Sequence, residues 1–277
     1  GLYPGDLPFT PGVEGAGFVD AVGPQCRIYK PGDRVAYCMV RGSYSEFAIV
    51  EEDRLVSVPD EISFEQAASL MLQGLTAHYL SSSTYPLASG DIALVHAGAG
   101  GVGLLLIQMA VIAGATVIAT VSTRDKADLA TEAGAQHVVI YSEEDFESAV
   151  KAITKHEGVN VAYDSVGATT FERSLRCLKP RGLLVLFGQS SGPVPPMDLQ
   201  LLSKQGSVFL TRPSLAHYVA DRPELLSRAE AVFSLVSSGK VKINISDRFP
   251  LSEASRAHTL LEERKTVGKL LLYPGFD

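Results

Sequence analysis

The sequence predicts an α/β fold in which a doubly wound parallel sheet follows a small antiparallel β-barrel. Three observations predict it. Strand-like and helix-like segments alternate from about Ile92 to Arg212, the pattern of a parallel sheet with helical crossovers. A glycine-rich turn, His96-Ala97-Gly98-Ala99-Gly100-Gly101-Val102-Gly103, separates a short apolar strand from an apolar helix. Between Pro11 and Pro59, short β-rich runs are broken by glycine and proline, as in small barrels.

Taken in order, the first strands are expected at Gly17–Gly23, Asp33–Tyr37 and Ser43–Val50. Ser63 stands where an N-cap belongs, with Gln66 in the capping-box position, so a helix opens there. A further helical stretch runs through Thr76–Leu80 and delivers the chain to Ile92–Val95, the strand before the glycine turn. Leu104–Ala110 continues from that turn as helix. Strands follow at Val117–Val121, His137–Ile140, Val159–Asp164, Gly182–Phe187 and Ser207–Thr211, β-branched residues marking the first of them. Helices fit between them at Lys126–Ala133, Asp145–Lys155 and Thr169–Cys177. The chain closes with helices around Pro223–Ser238 and Ser252–Glu263 and a strand at Lys269–Tyr273. The loop Ser190–Pro196 leaves the sheet at the edge where such sheets bind ligands, and reads equally as a simple connector.

The 277 residues, 46% of them hydrophobic, suffice for two modest domains or one large one. A net charge of −7 argues against broad affinity for nucleic acid or anionic membrane. Three widely spaced cysteines, Cys26, Cys38 and Cys177, suggest a reducing compartment and no disulfide framework. The apolar run Leu104–Val121 has the length of a membrane span. Its interruption by Gln108, Gly114 and Thr116 makes it helix then strand. The expectation is a soluble, cytoplasmic protein.

Gly98, Gly100 and Gly103 have the G-x-G-x-x-G spacing that sets a dinucleotide pyrophosphate on a helix N-terminus. Sites that prefer NAD place an acidic side chain roughly 20 residues further on, to accept from the ribose hydroxyls. Here that position is Ser122, followed by Thr123-Arg124-Asp125-Lys126. A carboxylate there would repel a 2′-phosphate, whereas Ser122 and Lys126 would bind one. Asp125 falls in the next helix's first turn, where it suits the dipole. The cofactor read from these residues is NADPH. The competing reading of Arg124 and Lys126 is a solvated helix face. His96, at the strand end before the glycines, is a candidate to line the nucleotide site.

Several stretches together resemble the zinc-independent quinone oxidoreductases of the medium-chain dehydrogenase/reductase superfamily. They are Pro11–Gly17, Lys30–Val35, Gly74–Ala77, the glycine turn, Tyr163–Gly167, Phe187–Gly192 and Thr211–Leu215. The resemblance implies a GroES-like catalytic domain in two pieces, residues 1–74 and 213–277, around a Rossmann domain at 75–212, with the cofactor in the cleft between them. It also implies that the chain begins, at Gly1-Leu2-Tyr3-Pro4, well inside the family's catalytic domain, without the first strands. In the superfamily's zinc enzymes a His precedes the Glu of a Gly-His-Glu triplet; here that place is Val13. The cysteines have no metal-like spacing with any of the scattered histidines, so no metal site is expected.

Carried over residue by residue, the resemblance puts Thr76 near the nicotinamide ribose or a phosphate and Gly100, Gly101, Val102 and Gly103 around the pyrophosphate. It puts Ser122, Lys126, Tyr141 and Arg264 around the 2′-phosphate, and Phe187 and Ser190 beside the nicotinamide half. Tyr3 is the implied pocket tyrosine, able to donate to a developing oxyanion or to stack. Without a Lewis acid, an electron-poor acceptor is the tractable one, so the expected reaction is hydride transfer from NADPH to a quinone. The alternatives are an NADPH-dependent enone or alkenal reductase, and a low-turnover NADPH-binding structural or RNA-binding protein. The acidic net charge speaks against RNA. A homodimer is expected, paired through the sheet edge at Ser207–Thr211.

Overall fold

The computed structural model describes residues 7–275. It divides into two compact units, one comprising the chain to Leu75 together with Tyr218 onward, the other Thr76–His217.

In the first unit, β1 (Glu14–Phe18) pairs antiparallel with β2 (Arg34–Cys38), which pairs with β3 (Val56–Ser57). Tyr29, Val35, Tyr37 and Leu55 form a small core behind them. β1 starts three residues before the expected Gly17 and ends five before the expected Gly23. Ser43–Val50, expected as a strand, is not one: only Gly42 and Tyr44 bond across, to Gly12 and Pro11, and Phe47 and Ile49 stand exposed. Alternation makes a strand only where a neighbour supplies the ladder, and among the described residues none does. α1 (Phe64–Leu70) opens on the expected capping box, Gln66 N donating to Ser63 Oγ at 3.2 Å and Ser63 N to Gln66 Oε1 at 2.9 Å. α2 (Gln73–Tyr79) follows and relaxes into a π-turn over Leu80–Thr84.

The second unit is a six-stranded, wholly parallel sheet. Its elements are β4 (Ile92–Val95), α3 (Gly101–Ile112), β5 (Thr116–Val121), α4 (Arg124–Glu132), β6 (His137–Ile140), α5 (Phe146–Ile153), β7 (Val159–Asp164), α6 (Phe171–Arg176), β8 (Leu178–Leu186), α7 (Gln200–Lys204) and β9 (Phe209–Thr211). The spatial order is β6-β5-β4-β7-β8-β9. The chain winds outward one way from β4 and the other way from β7, so the topological switch lies between these two strands, where open α/β sheets bind ligands. β7, at the centre, is buried along its whole length, as a doubly covered parallel strand must be. Leu94, Ile118, Val139, Phe146, Ala162, Leu175 and Leu184 belong to one core cluster around it. β8 begins at Leu178, four residues before the expected start, because a bulge carries the chain from Leu178, opposite Val159, to Leu183, opposite Val161. The apolar run 104–121 resolves into helix, a turn at Gly114 and strand. No helix among the described residues is long and apolar enough to cross a membrane.

The chain then adds α8 (Leu215–Tyr218), α9 (Arg222–Ser237), β10 (Ile245–Pro250), α10 (Ala254–Glu262) and β11 (Lys269–Tyr273). Asp221 caps α9 through Glu224 N at 2.9 Å, with Pro223 in the first turn. β10 and β11 are parallel neighbours joined by α10. β10 is a strand the sequence does not predict, since Ile245-Ser246-Asp247-Arg248-Phe249-Pro250 is largely polar and ends in proline.

Glu65 on α1 ties these last strands to the first unit's helix. Arg248 donates to both its carboxylate oxygens, at 2.8 and 2.7 Å, and the Tyr273 hydroxyl donates to Oε1. The hydrogen bonds from Arg248, then from Tyr273, hold the Glu65 carboxyl at about 2, against an ordinary 4.5. A depressed carboxylate stabilises the fold fully above its ordinary value and loses that contribution as pH falls through the depressed one. Glu65→Gln should therefore lower Tm by a few degrees near pH 7 and by progressively less toward about pH 2. An equal loss at every pH would show that shape, not charge, is what Glu65 supplies.

Candidate functional site

The glycine turn is suspended from the strands on either side of β4. His96 N donates to Tyr163 O on β7, and Gly98 N to Thr120 O on β5, both at 3.0 Å. Ala97 enters the left-handed region at φ 52°, and Gly100 then serves as the N-cap of α3 without any side-chain cap. The first-turn N–H groups of a helix have no intrahelical acceptor, so this end presents bare donors on the positive end of the helix dipole. Crowding keeps side chains out. A Cβ on Gly103 would lie 2.3 Å from Ala97 O and 2.8 Å from Gly98 O, and one on Gly98 would lie 2.9 Å from Ala119 Cβ. An uncapped helix end reached only by backbone is suited to an anion such as a pyrophosphate. Val102 is half-buried in the first turn of α3, beside Gly101 and the buried Gly103.

At the carboxyl ends of β5 and β6 two loops are bound together. Tyr141 N donates to Val121 O at 3.0 Å, and Ser142 Oγ to Ser122 O at 2.9 Å. Ser122 is half-buried at the strand end, Thr123 caps α4 through Lys126 N, Lys126 is half-buried in the first turn and Tyr141 is exposed. Asp125 falls in the first turn of α4, as expected. The sheet thus brings Ser122 and Tyr141 side by side, with Lys126 one helical turn on.

Phe187 and Ser190 flank the turn after β7, Phe187 N donating to Asp164 O at 2.9 Å and Ser190 N to Ser165 O at 3.1 Å. Thr76 is buried on α2. Arg264 belongs to the first unit, at φ 56° just after α10. Tyr3 lies outside the described residues.

His96 is not at a ligand surface; its side chain is 1% exposed. Nδ1 meets Thr120 Oγ1 and Nε2 meets Ser174 Oγ, each at 2.9 Å, while Phe146 packs edge-on against the ring at 4.9 Å. Burial pushes its pKa below the ordinary value, so the ring is neutral near pH 7. Ser174 Oγ in turn reaches Asp164 Oδ2 at 3.1 Å. Asp164, fully buried at the end of β7, also accepts from Val166 N at 2.8 Å, Gly167 N at 3.0 Å and Thr170 Oγ1 at 2.8 Å. This chain of hydrogen bonds links the exits of β4, β5 and β7 to α6. The sequence carried one signal of it, an aspartate closing an apolar strand directly before Ser165-Val166-Gly167, the local geometry in which Asp bonds its own following amides.

Burial pushes the Cys38 and Cys177 thiols up to about 12, with Glu14 adding to the first and Glu147 to the second. Both are therefore neutral thiols near pH 7. Among the described residues no group of three or more His, Cys, Asp or Glu side chains is placed to hold a metal. A cavity of about 1200 Å³ opens in the first unit, lined by residues that include Glu14, Tyr29, Tyr37, Tyr44, Phe47 and Leu271. Within that unit the Tyr44 hydroxyl pairs with His258 Nε2 at 2.9 Å, and Glu14 receives Leu72 N at 2.9 Å and the Lys269 ammonium.

A doubly wound sheet with this glycine turn, inserted into a second unit made from both ends of the chain, defines the medium-chain dehydrogenase/reductase class. The models of two families match, an alcohol dehydrogenase GroES-like domain over residues 1–60 and a zinc-binding dehydrogenase over residues 101–229. A quinone oxidoreductase of Pseudomonas aeruginosa is 48% identical over 277 residues, covering 99% of this chain and 85% of that protein. A 2-haloacrylate reductase of a Burkholderia species is 39% identical, covering 99% of this chain and 83% of that protein. The crystal structure of Escherichia coli quinone oxidoreductase complexed with NADPH superposes with a TM-score of 0.96 at 45% identity, covering 99% of this chain and 85% of that one. The chain belongs to the quinone oxidoreductase family of the medium-chain dehydrogenases/reductases.

Proposed function

We propose that this chain is an NADPH-dependent quinone reductase that works without zinc. The observation that carries the reading is the uncapped N-terminus of α3, closed to side chains by Gly98 and Gly103 and open to a pyrophosphate. Gly100, Gly101, Val102 and Gly103 bind that group through backbone donors, with a charge-assisted gain over neutral hydrogen bonds. Ser122, Lys126 and Tyr141 hold the 2′-phosphate, and Thr76, Phe187 and Ser190 orient the nicotinamide half. When bound, NADPH supplies a hydride, two electrons and one proton's mass, and a quinone taking it together with a solvent proton leaves as hydroquinone. Tyr3 is assigned as the donor to the quinone oxygen, on the family resemblance. Val13, where zinc relatives carry a histidine, supports a reaction that relies on hydrogen-bond donors.

NADPH oxidation followed with an ortho-quinone and, in parallel, a simple enone tests the reading. Turnover with the quinone is expected; NADPH binding without quinone turnover would overturn it. The likeness to a 2-haloacrylate reductase favours a second reading, an electron-poor alkene as acceptor, and preferential turnover of the enone would establish that instead. Lys126→Glu tests the cofactor site: NADPH binding should weaken by about tenfold or more with NADH little affected. Equal loss for both cofactors would remove the phosphate assignment. We also assign self-association to β9, an edge strand with Phe209 exposed. Light scattering should give a dimer, and a proline at Leu210 should give monomers.

A further inference from the structure

We infer that Arg124 is an additional ligand of the adenosine 2′-phosphate, held in waiting by Glu143, and that this pair sets the strength of the preference for NADPH over NADH. The inference rests on the 2′-phosphate reading of Ser122, Lys126 and Tyr141 and adds to it a residue outside the set that the family resemblance implies.

The pair spans the two loops that carry those residues. Arg124 opens α4, two positions after Ser122 and two before Lys126; Glu143 follows Tyr141 by two positions. Arg124 Nη2 lies 3.1 Å from Glu143 Oε2. The loops are fixed to each other behind the pair by the Tyr141 N to Val121 O and Ser142 Oγ to Ser122 O hydrogen bonds. Arg124 therefore leaves the same β5–α4 junction as Ser122 and Lys126, and Glu143 the same loop as Tyr141.

Three physical arguments favour its transfer to a phosphate. First, the side chains of Arg124 and Glu143 are 74% and 54% exposed. An ion pair so open to water contributes little, so breaking it costs little. Second, Arg124 and Lys126 both sit in the first turn of α4, the positive end of the helix dipole, where cations gain nothing and anions are favoured. A 2′-phosphate at the exit of β5 changes that balance, attracting both cations and the helix end together. Third, the planar guanidinium fork matches two phosphate oxygens, so its hydrogen bonds to a phosphate exceed those to one carboxylate oxygen in solvent.

Glu143 acts in the opposite sense. It competes for Arg124 and places a negative charge beside the incoming phosphate. NADH carries no 2′-phosphate, so the pair's charges act chiefly on NADPH. Arg124 and Glu143 form a specificity pair whose two members pull in opposite directions.

The test measures dissociation constants for NADPH and NADH by fluorescence titration for the wild type, Arg124→Gln, Arg124→Lys, Glu143→Gln and Lys126→Glu. Arg124→Gln should weaken NADPH by roughly tenfold and leave NADH within about twofold. Arg124→Lys, which keeps the charge and loses the fork, should fall between. Glu143→Gln should tighten NADPH severalfold with NADH unmoved. If Lys126→Glu lowers the NADPH:NADH preference while Arg124→Gln and Glu143→Gln leave it alone, the inference about the pair fails and the phosphate site stands. If none of the substitutions moves the preference, the phosphate site itself is misassigned and the inference falls with it.

Discussion

Gly103→Ala should cost at least about tenfold in NADPH affinity and lower Tm, against the expectation from helix propensity alone. Alanine in place of glycine near the start of a helix ordinarily adds up to about 1 kcal/mol of stability, since it restricts the unfolded chain and favours the helix. Here sterics decide the sign. The new Cβ would lie 2.3 Å from Ala97 O, 2.8 Å from Gly98 O and 2.9 Å from Gly98 C. All three are backbone atoms of one turn, so no side chain can rotate aside. Either α3 withdraws along its axis or the turn opens, and overpacking of this kind costs roughly 1–3 kcal/mol. Both movements displace the bare N–H groups that the pyrophosphate is proposed to meet. Thermal melts and fluorescence titration on the same preparation check both halves. Wild-type affinity in a folded Gly103→Ala protein would mean that the turn does not carry the pyrophosphate.

The glycine turn was legible because glycine is chosen where nothing else fits, so spacing alone records the geometry. The parallel sheet was equally legible: His137–Ile140 and Val159–Asp164 lie at the expected bounds, as strands of a covered parallel sheet read as short β-branched runs. Errors fell where local pattern and long-range pairing part company. Ser43–Val50 alternates like a strand and finds no ladder among the described residues. Ile245–Pro250 looks like a loop and becomes a strand because β11 lies beside it. His96 shows the same limit at the site: next to a glycine turn it reads as a ligand-facing residue. Only the arrival of Ser174 from 78 residues further along the chain reveals a buried relay. Arg124 and Glu143, 19 residues apart, are likewise brought together by the adjacency of β5 and β6. A charge pair brought together across a crossover leaves no periodic trace in the sequence.

Asp164→Ala should be among the most destabilising single substitutions in the second unit, and its effect should reach NADPH. The side chain is fully buried and accepts from two backbone amides, Val166 and Gly167, and two hydroxyls, Thr170 and Ser174. Truncation takes the shared acceptor away from all four donors. Each stranded donor costs about 1–3 kcal/mol before relaxation. Ser174 can turn to Thr170 O, 2.9 Å away, and Thr170 to Gly167 O, 3.3 Å away, which reduces the sum. A net loss of about 3–5 kcal/mol remains, or roughly 10 °C in Tm. Asp164→Asn separates shape from hydrogen bonding. Its amide oxygen can still accept from Val166 and Gly167, while its NH2 group faces hydroxyls that had been donating, so about 1–2 kcal/mol should be lost. The same turn receives Ser190 N and Ser191 N on Ser165 O and Val166 O. Loosening it therefore frees the loop that carries Ser190 and raises the KM for NADPH, with kcat at saturation less affected because no reacting atom has been removed. A folded Asp164→Ala protein with wild-type KM would show that the relay stabilises the sheet without positioning the cofactor loop. An Asp164→Asn protein that melts with Asp164→Ala would show that the hydroxyl acceptor on Oδ2, and not the amide turn on Oδ1, is what the relay depends on.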